Sequence, residues 1–124
     1  MRVGAAFVSI TPDIGIAMQR YDMRFAEKIN DPLIASALAV GVDRLGWLLL
    51  SVDCIGLDRS FTNRIRETLA ARFQIAPSAI TIACSHTHSG PATLTQLGSV
   101  AGDGSYLEFL EARLVSAAAM AVGG

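Results

Sequence analysis

Two short apolar runs, Trp47–Val52 and Ala79–Cys84, flank a single stretch of helical periodicity. Between them Phe61, Ile65 and Leu69 recur at i, i+4 spacing, which places them on one face of a helix. Asp58 or Ser60 can cap that helix, which runs to about Phe73, and Ile75-Ala76-Pro77-Ser78 closes it. A strand, a helix and a strand in that order predict a βαβ unit with parallel strands and a right-handed crossover. Arg64 and Arg66 lie off the apolar face and are expected to be solvated.

Upstream, Val3–Ile10 reads as a strand stopped by Thr11-Pro12-Asp13. Leu33–Val42 is a second strand, and Asp43-Arg44-Leu45-Gly46 is the turn that leads into Trp47–Val52. So short a connection makes these two strands an antiparallel hairpin. Residues 13–33 are irregular, broken by Gly15, Asn30, Asp31 and Pro32, and a loop of that length is usually functional or disordered. Downstream, Ser105 and Glu108 have capping-box spacing. A helix follows with Tyr106, Phe109, Leu110, Leu114, Ala117, Ala118 and Ala121 on its expected buried side, and Gly123-Gly124 is an ordinary stop. The predicted class is α/β: a mixed sheet with a β-hairpin and a right-handed βαβ unit, in an incomplete domain with no closing strand.

At 124 residues the chain is at most one domain. Its apolar fraction of 52% and charged fraction of 17% point to some apolar surface that meets another domain or subunit. A net charge of −1 gives no field to attract nucleic acid, and the few aromatics give no base-stacking platform. No run reaches the ~18 apolar residues of a membrane span. Met1-Arg2 leads straight into Val3–Ile10, which contains Gly4 and Ser9 and is too short for a secretory signal, so a cytoplasmic location is the default. Cys54 and Cys84 each end an apolar run, where a reduced buried thiol is the usual occupant. A disulfide between them is geometrically feasible if the two runs are neighbours.

Both histidines lie in Ser85-His86-Thr87-His88-Ser89-Gly90-Pro91, directly after the last apolar run. In extended backbone, residues i and i+2 share a face, so His86 and His88 can aim at one point. Convergent imidazoles at a strand end begin a zinc site, although catalytic zinc usually takes three protein ligands plus water. Ligands of parallel sheets bind beyond the strands' carboxyl ends, which brings in Asp53 as a third ligand or as the group that orients a liganding histidine. The plainer role for Asp53 is to hydrogen-bond loop amides. The remaining ligand would come from the 13–31 or 95–104 loops or from outside the chain. Ser89 is poorly placed as a nucleophile, because strand neighbours face opposite ways and no nucleophile elbow surrounds it, and it is expected to be a turn hydroxyl. Gly98, Gly102 and Gly104 lack phosphate-loop spacing. Tyr21, with Gln19 and Arg24, can reach the same mouth as a substrate contact or as an anchor of the first loop, and the anchor is the expected role.

The motif Ser85–Pro91 resembles the Thr-His-Thr-His-Ser-Gly-Pro that neutral/alkaline, non-lysosomal ceramidases carry after a strand. Other segments agree in order. Val3-Gly4-Ala5-Ala6 through Ser9-Ile10-Thr11-Pro12-Asp13 is similar to that family's opening strand. Asp31-Pro32-Leu33 with Ala35-Ser36-Ala37-Leu38 is similar to an Asp-Pro-Leu-x-Ala-Arg-Ala-Leu segment, with Ser36 in place of arginine. Leu50-Ser51-Val52-Asp53 resembles a Val-x-x-Asp strand end, with Leu50 in place of the valine. Arg20-Tyr21 stands for Gly-Tyr, and Ala92-Thr93 departs from the glycine that follows Gly-Pro. The resemblance implies that residues 1–124 are the N-terminal part of a ceramidase-like α/β domain, with Zn2+ as cofactor. It implies hydrolysis of the amide of N-acylsphingosine, or of a related lipid-like amide, to a fatty acid and a sphingoid base. It implies His86 as a zinc ligand and His88 beside the metal, contacting water or substrate. The remaining ligands in that family (a histidine, a glutamate and a tyrosine) come from later polypeptide. The resemblance also leaves secretion open.

Two other classes fit parts of the sequence. Barrel amidohydrolases open with His-x-His after a strand, but after the first strand rather than the fourth. A non-enzymatic α/β module would use the apolar surface to bind a partner.

Overall fold

The computed structural model describes residues 1–18, 24–94 and 104–123. Four strands, β1 (Arg2–Ser9), β2 (Ile34–Gly41), β3 (Leu45–Val52) and β4 (Ile80–Cys84), form one sheet in the order β1-β2-β3-β4. β1–β2 and β2–β3 are antiparallel, whereas β3–β4 is parallel and joined through helix α1 (Arg59–Phe73) and a 3₁₀ turn at Pro77–Ala79. Helix α2 (Gly104–Gly123) ends the described chain. Antiparallel β1, β2 and β3 rule out the opening of a parallel (β/α)8 barrel.

Both helices cover one face of the sheet. Val8, Ala35, Ala37, Ala39, Leu48, Leu50 and Val52 alternate onto that face and form one core with Phe61, Ile65 and Leu69 of α1 and Leu110, Leu114, Ala117 and Ala118 of α2. The small residues of β1 and β2 let α2 come close. A Cβ on Gly4 would sit 1.9 Å from the Ala121 carbonyl oxygen, so only glycine fits that crossing. Tyr106 of α2 donates its phenol proton to the Ile10 carbonyl at 2.7 Å, and Arg113 Nε bonds the Ser9 carbonyl at 3.0 Å, pinning the end of β1.

Among the described residues no helix covers the other face. Registered rows Val3–Val40–Trp47, Ala5–Leu38–Leu49–Thr81 and Phe7–Ser36–Ser51–Ala83 line it, without a charged side chain. Val3 is 60% exposed and Phe7 is 70% exposed. This is the apolar surface anticipated from composition, and its location is a finding of the structure. Among the described residues no helix is long and apolar enough to cross a membrane.

Several expectations are corrected. The β2–β3 connection is Val42-Asp43-Arg44, with a bulge at Val40/Gly41, so Leu45 and Gly46 belong to β3. Phe109 is 41% exposed, because the stripe that α2 buries is narrower than the sequence pattern. Ser105 lies within the first turn of α2 rather than before it. Arg64 bonds Glu111 of α2 through Nε at 3.1 Å, and Arg66 Nε bonds the Ile80 carbonyl at 3.2 Å, so neither is merely solvated. The long first loop folds back on itself, with Gly15, Met18 and Ala26 amides bonded across it.

Candidate metal centre

The parallel strands bring Val52 and Cys84 side by side, so both chains leave the sheet at the same edge. Beyond β3 the backbone turns sharply, the Cys54 amide bonding back to the Val52 carbonyl at 3.0 Å. That turn aims a row of main-chain carbonyls at the loop after β4. The Val52 carbonyl accepts the Ser85 amide at 3.0 Å, and the Cys54 carbonyl accepts the His86 amide at 2.9 Å. Ile55 O lies 2.8 Å from His86 Nδ1, and Gly56 O accepts the buried Thr93 hydroxyl at 2.7 Å.

The Ile55 bond fixes the chemistry of His86. A carbonyl oxygen can only accept, so Nδ1 carries the proton. In the neutral ring Nε2 then keeps its lone pair, the state a metal ligand needs. His86 also has φ +64°, a left-handed conformation. β4 ends at Cys84, two residues earlier, so the strand alternation invoked from sequence does not act at the histidines. The rings still meet, edge to face, with centroids 4.9 Å apart and planes at 87°. Both side chains are exposed. Thr87 makes the turn, its hydroxyl accepting the Ser89 amide at 3.2 Å. The turn hydroxyl expected at Ser89 is therefore at Thr87.

Asp53 takes the plainer role. Its Oδ2 accepts the Ile34 amide at 3.0 Å while its own amide bonds the Ile34 carbonyl at 3.0 Å, locking the end of β3 to the start of β2. The orienting partner of His86 is thus Ile55, a group with no side-chain signature, rather than Asp53. Among the described residues no three His, Cys, Asp or Glu side chains converge. Arg24 braces the first loop, its carbonyl accepting the Met18 amide at 2.8 Å. Gln19, Tyr21, Gly98, Gly102 and the 95–103 part of the second candidate loop lie outside the described residues.

The first loop docks on the histidine loop, the Ala92 amide bonding the Ala17 carbonyl at 2.8 Å. A cleft of ≈ 480 Å³ lies between them, with Asp13, Ile14, Ile29, Thr87 and Ser89 among its lining. Behind the loop Cys54 and Cys84 are both free thiols, Sγ to Sγ 3.6 Å. The bond that Cys54 donates to Cys84, followed by burial, pushes the Cys54 thiol well above the ordinary thiol range. Receiving that bond lowers Cys84, against the effect of burial.

Fold and site together define an α/β unit that presents a histidine pair at the carboxyl edge of two parallel strands. That fold is shared with part of the neutral ceramidases. Neutral ceramidase from Pseudomonas aeruginosa superposes on 96% of this chain with TM-score 0.76 and 16% identity. A ceramidase complexed with C2 superposes on 97% with TM-score 0.76 and 18% identity. The chain spans about one fifth of each, 21% and 20% of their lengths. No protein-family model and no curated protein matches the sequence.

Proposed function

We propose that residues 1–124 are the N-terminal part of a zinc-dependent amide hydrolase of the neutral ceramidase type. The observation that carries this reading is the Ile55–His86 bond, which holds an exposed imidazole with Nε2 ready to ligate. His86 and His88 fit part of a zinc shell, His86 as ligand and His88 as a second nitrogen beside it. Among the described residues no third His, Cys, Asp or Glu joins the pair, and on this reading the remaining ligands come from the 95–104 loop or from outside residues 1–124. Zinc held there would supply a bound water of pKa about 7 and a Lewis acid for the amide carbonyl.

The chain's own contribution is positional. Carbonyls of Cys54 and Ile55 set the direction and tautomer of His86. His88, whose ring meets that of His86, would hold or move a proton of water or substrate. The neighbouring cleft, lined by Ile14 and Ile29 with Thr87, Ser89, Gly90 and Pro91 but by neither histidine, would take the apolar part of a lipid-like amide such as N-acylsphingosine. Zinc content and N-acyl amide hydrolysis in the complete protein test the reading. His86→Ala is expected to lose both, and a variant that keeps either one refutes it.

The uncharged outer face of the sheet favours a second reading, a non-enzymatic module that docks on a partner. A stable, monodisperse assembly of the complete protein that takes up no zinc would select it.

A further inference from the structure

We propose that Cys54 and Cys84 are a peroxide-sensitive pair that closes into a reversible disulfide directly behind the histidine loop. The pair belongs to two different strand ends. Cys84 is the last residue of β4 and lies opposite Val52, while Cys54 is brought back toward it by the turn that bonds its amide to the Val52 carbonyl. The sulfurs lie 3.6 Å apart, and both are reduced. A disulfide needs about 2.05 Å, so the closure required is about 1.5 Å. Cys54 is fully buried and Cys84 half-buried, which makes Cys84 the sulfur an oxidant reaches first.

The chemistry balances with one hydrogen peroxide. The Cys84 sulfur attacks a peroxide oxygen and the O–O bond breaks. The thiol proton leaves with the departing hydroxide as water, and Cys84 becomes a sulfenic acid. The Cys54 sulfur then attacks the Cys84 sulfur, the S–O bond breaks, and a second water carries away the Cys54 proton. Two electrons pass from the two thiols to one peroxide. A small dithiol reverses the reaction by thiol–disulfide exchange.

The position of the bond gives it meaning. The Cys54 carbonyl holds the His86 amide, and Cys84 lies two residues before His86, so the cross-link ties the carbonyl row to the loop it supports. It also closes the chain across a sequence separation of 30 residues. A loop of that length restricts the unfolded chain enough to raise the melting midpoint by roughly 10 °C. The inference does not depend on a metal at His86.

The test is native oxidation of the purified protein with equimolar hydrogen peroxide, followed by mass spectrometry, thiol titration and melting. The expected product is a monomer about 2 Da lighter, with no titratable thiol and a higher midpoint, restored by dithiothreitol. Cys84→Ala, a change at the half-buried position, is expected to remain monomeric and to keep its Cys54 thiol. Retention of both thiols in the folded protein overturns the proposal. So does stable addition of oxygen to Cys84 beside an intact Cys54, or a linkage that forms only between two chains.

Discussion

The parallel strands β3 and β4 leave the sheet together and then use different parts of the residue. After β4 the chain presents side chains: two imidazoles and the hydroxyls of Ser85, Thr87 and Ser89. After β3 it presents main chain, with the carbonyls of Val52, Cys54, Ile55 and Gly56 all accepting bonds from the segment 85–93. One strand end presents the side chains and the other aims them. The comparison teaches that a preorganised imidazole need not have a recognisable side-chain partner. A buried carbonyl that is already fixed by a sharp turn orients a histidine as well as a carboxylate does, and adds no charge to the site.

The strongest way to break that division of labour is on the β4 side. His86→Ala is expected to abolish zinc retention, measured by metal analysis after dialysis. His88→Ala is expected to retain zinc better but to lower amide hydrolysis by roughly 10²- to 10⁴-fold, the range for loss of a proton-transfer group. Equal loss of metal in the two variants would make both direct ligands. On the β3 side effects are smaller. Thr93→Val leaves the Gly56 carbonyl without its hydroxyl partner. It is expected to cost about 1–3 kcal/mol in denaturant unfolding and to weaken zinc about 10- to 100-fold, with Thr93→Ser restoring most of it. Asp53→Asn is the sharpest control. An amide oxygen can still accept the Ile34 amide, so zinc affinity should change by less than about threefold. A loss in the 10- to 100-fold range would return Asp53 to the metal.

Much of this arrangement is visible in the residues. The strands announce themselves through apolar runs, the first closed by Thr11-Pro12-Asp13 and the second by the turn at Asp43-Arg44, while Pro77 marks the end of the helix before the last strand. The parallel pair follows from the single helical stripe Phe61, Ile65 and Leu69, and the histidine pair stands out by residue type. What could not be read is carried by the backbone. Every residue has a carbonyl, so nothing in Ile55 or Gly56 marks it as an acceptor for His86 or Thr93. The turn at Cys54 is likewise set by main-chain bonding. Strand alternation gave the right neighbours, His86 and His88, for a reason that does not hold once β4 ends at Cys84. Docking of the first loop rests on one amide, Ala92, reaching one carbonyl, Ala17. Phe109 shows the same limit on a helix: spacing proposes a wide stripe, but only contact with the sheet decides its edge.

The left-handed backbone at residue 86 sets folding against the role proposed for its imidazole. Histidine enters that region more readily than β-branched residues do, yet glycine enters it without strain. His86→Gly should therefore fold more stably than His86→Ala, by roughly 1 kcal/mol in urea unfolding, while lacking the ligand as completely. A lineage released from the need for that imidazole would gain stability by drifting to glycine there. Position 86 thus serves as an internal gauge: the residue a homologue keeps reports whether its loop is still selected for something other than holding its shape.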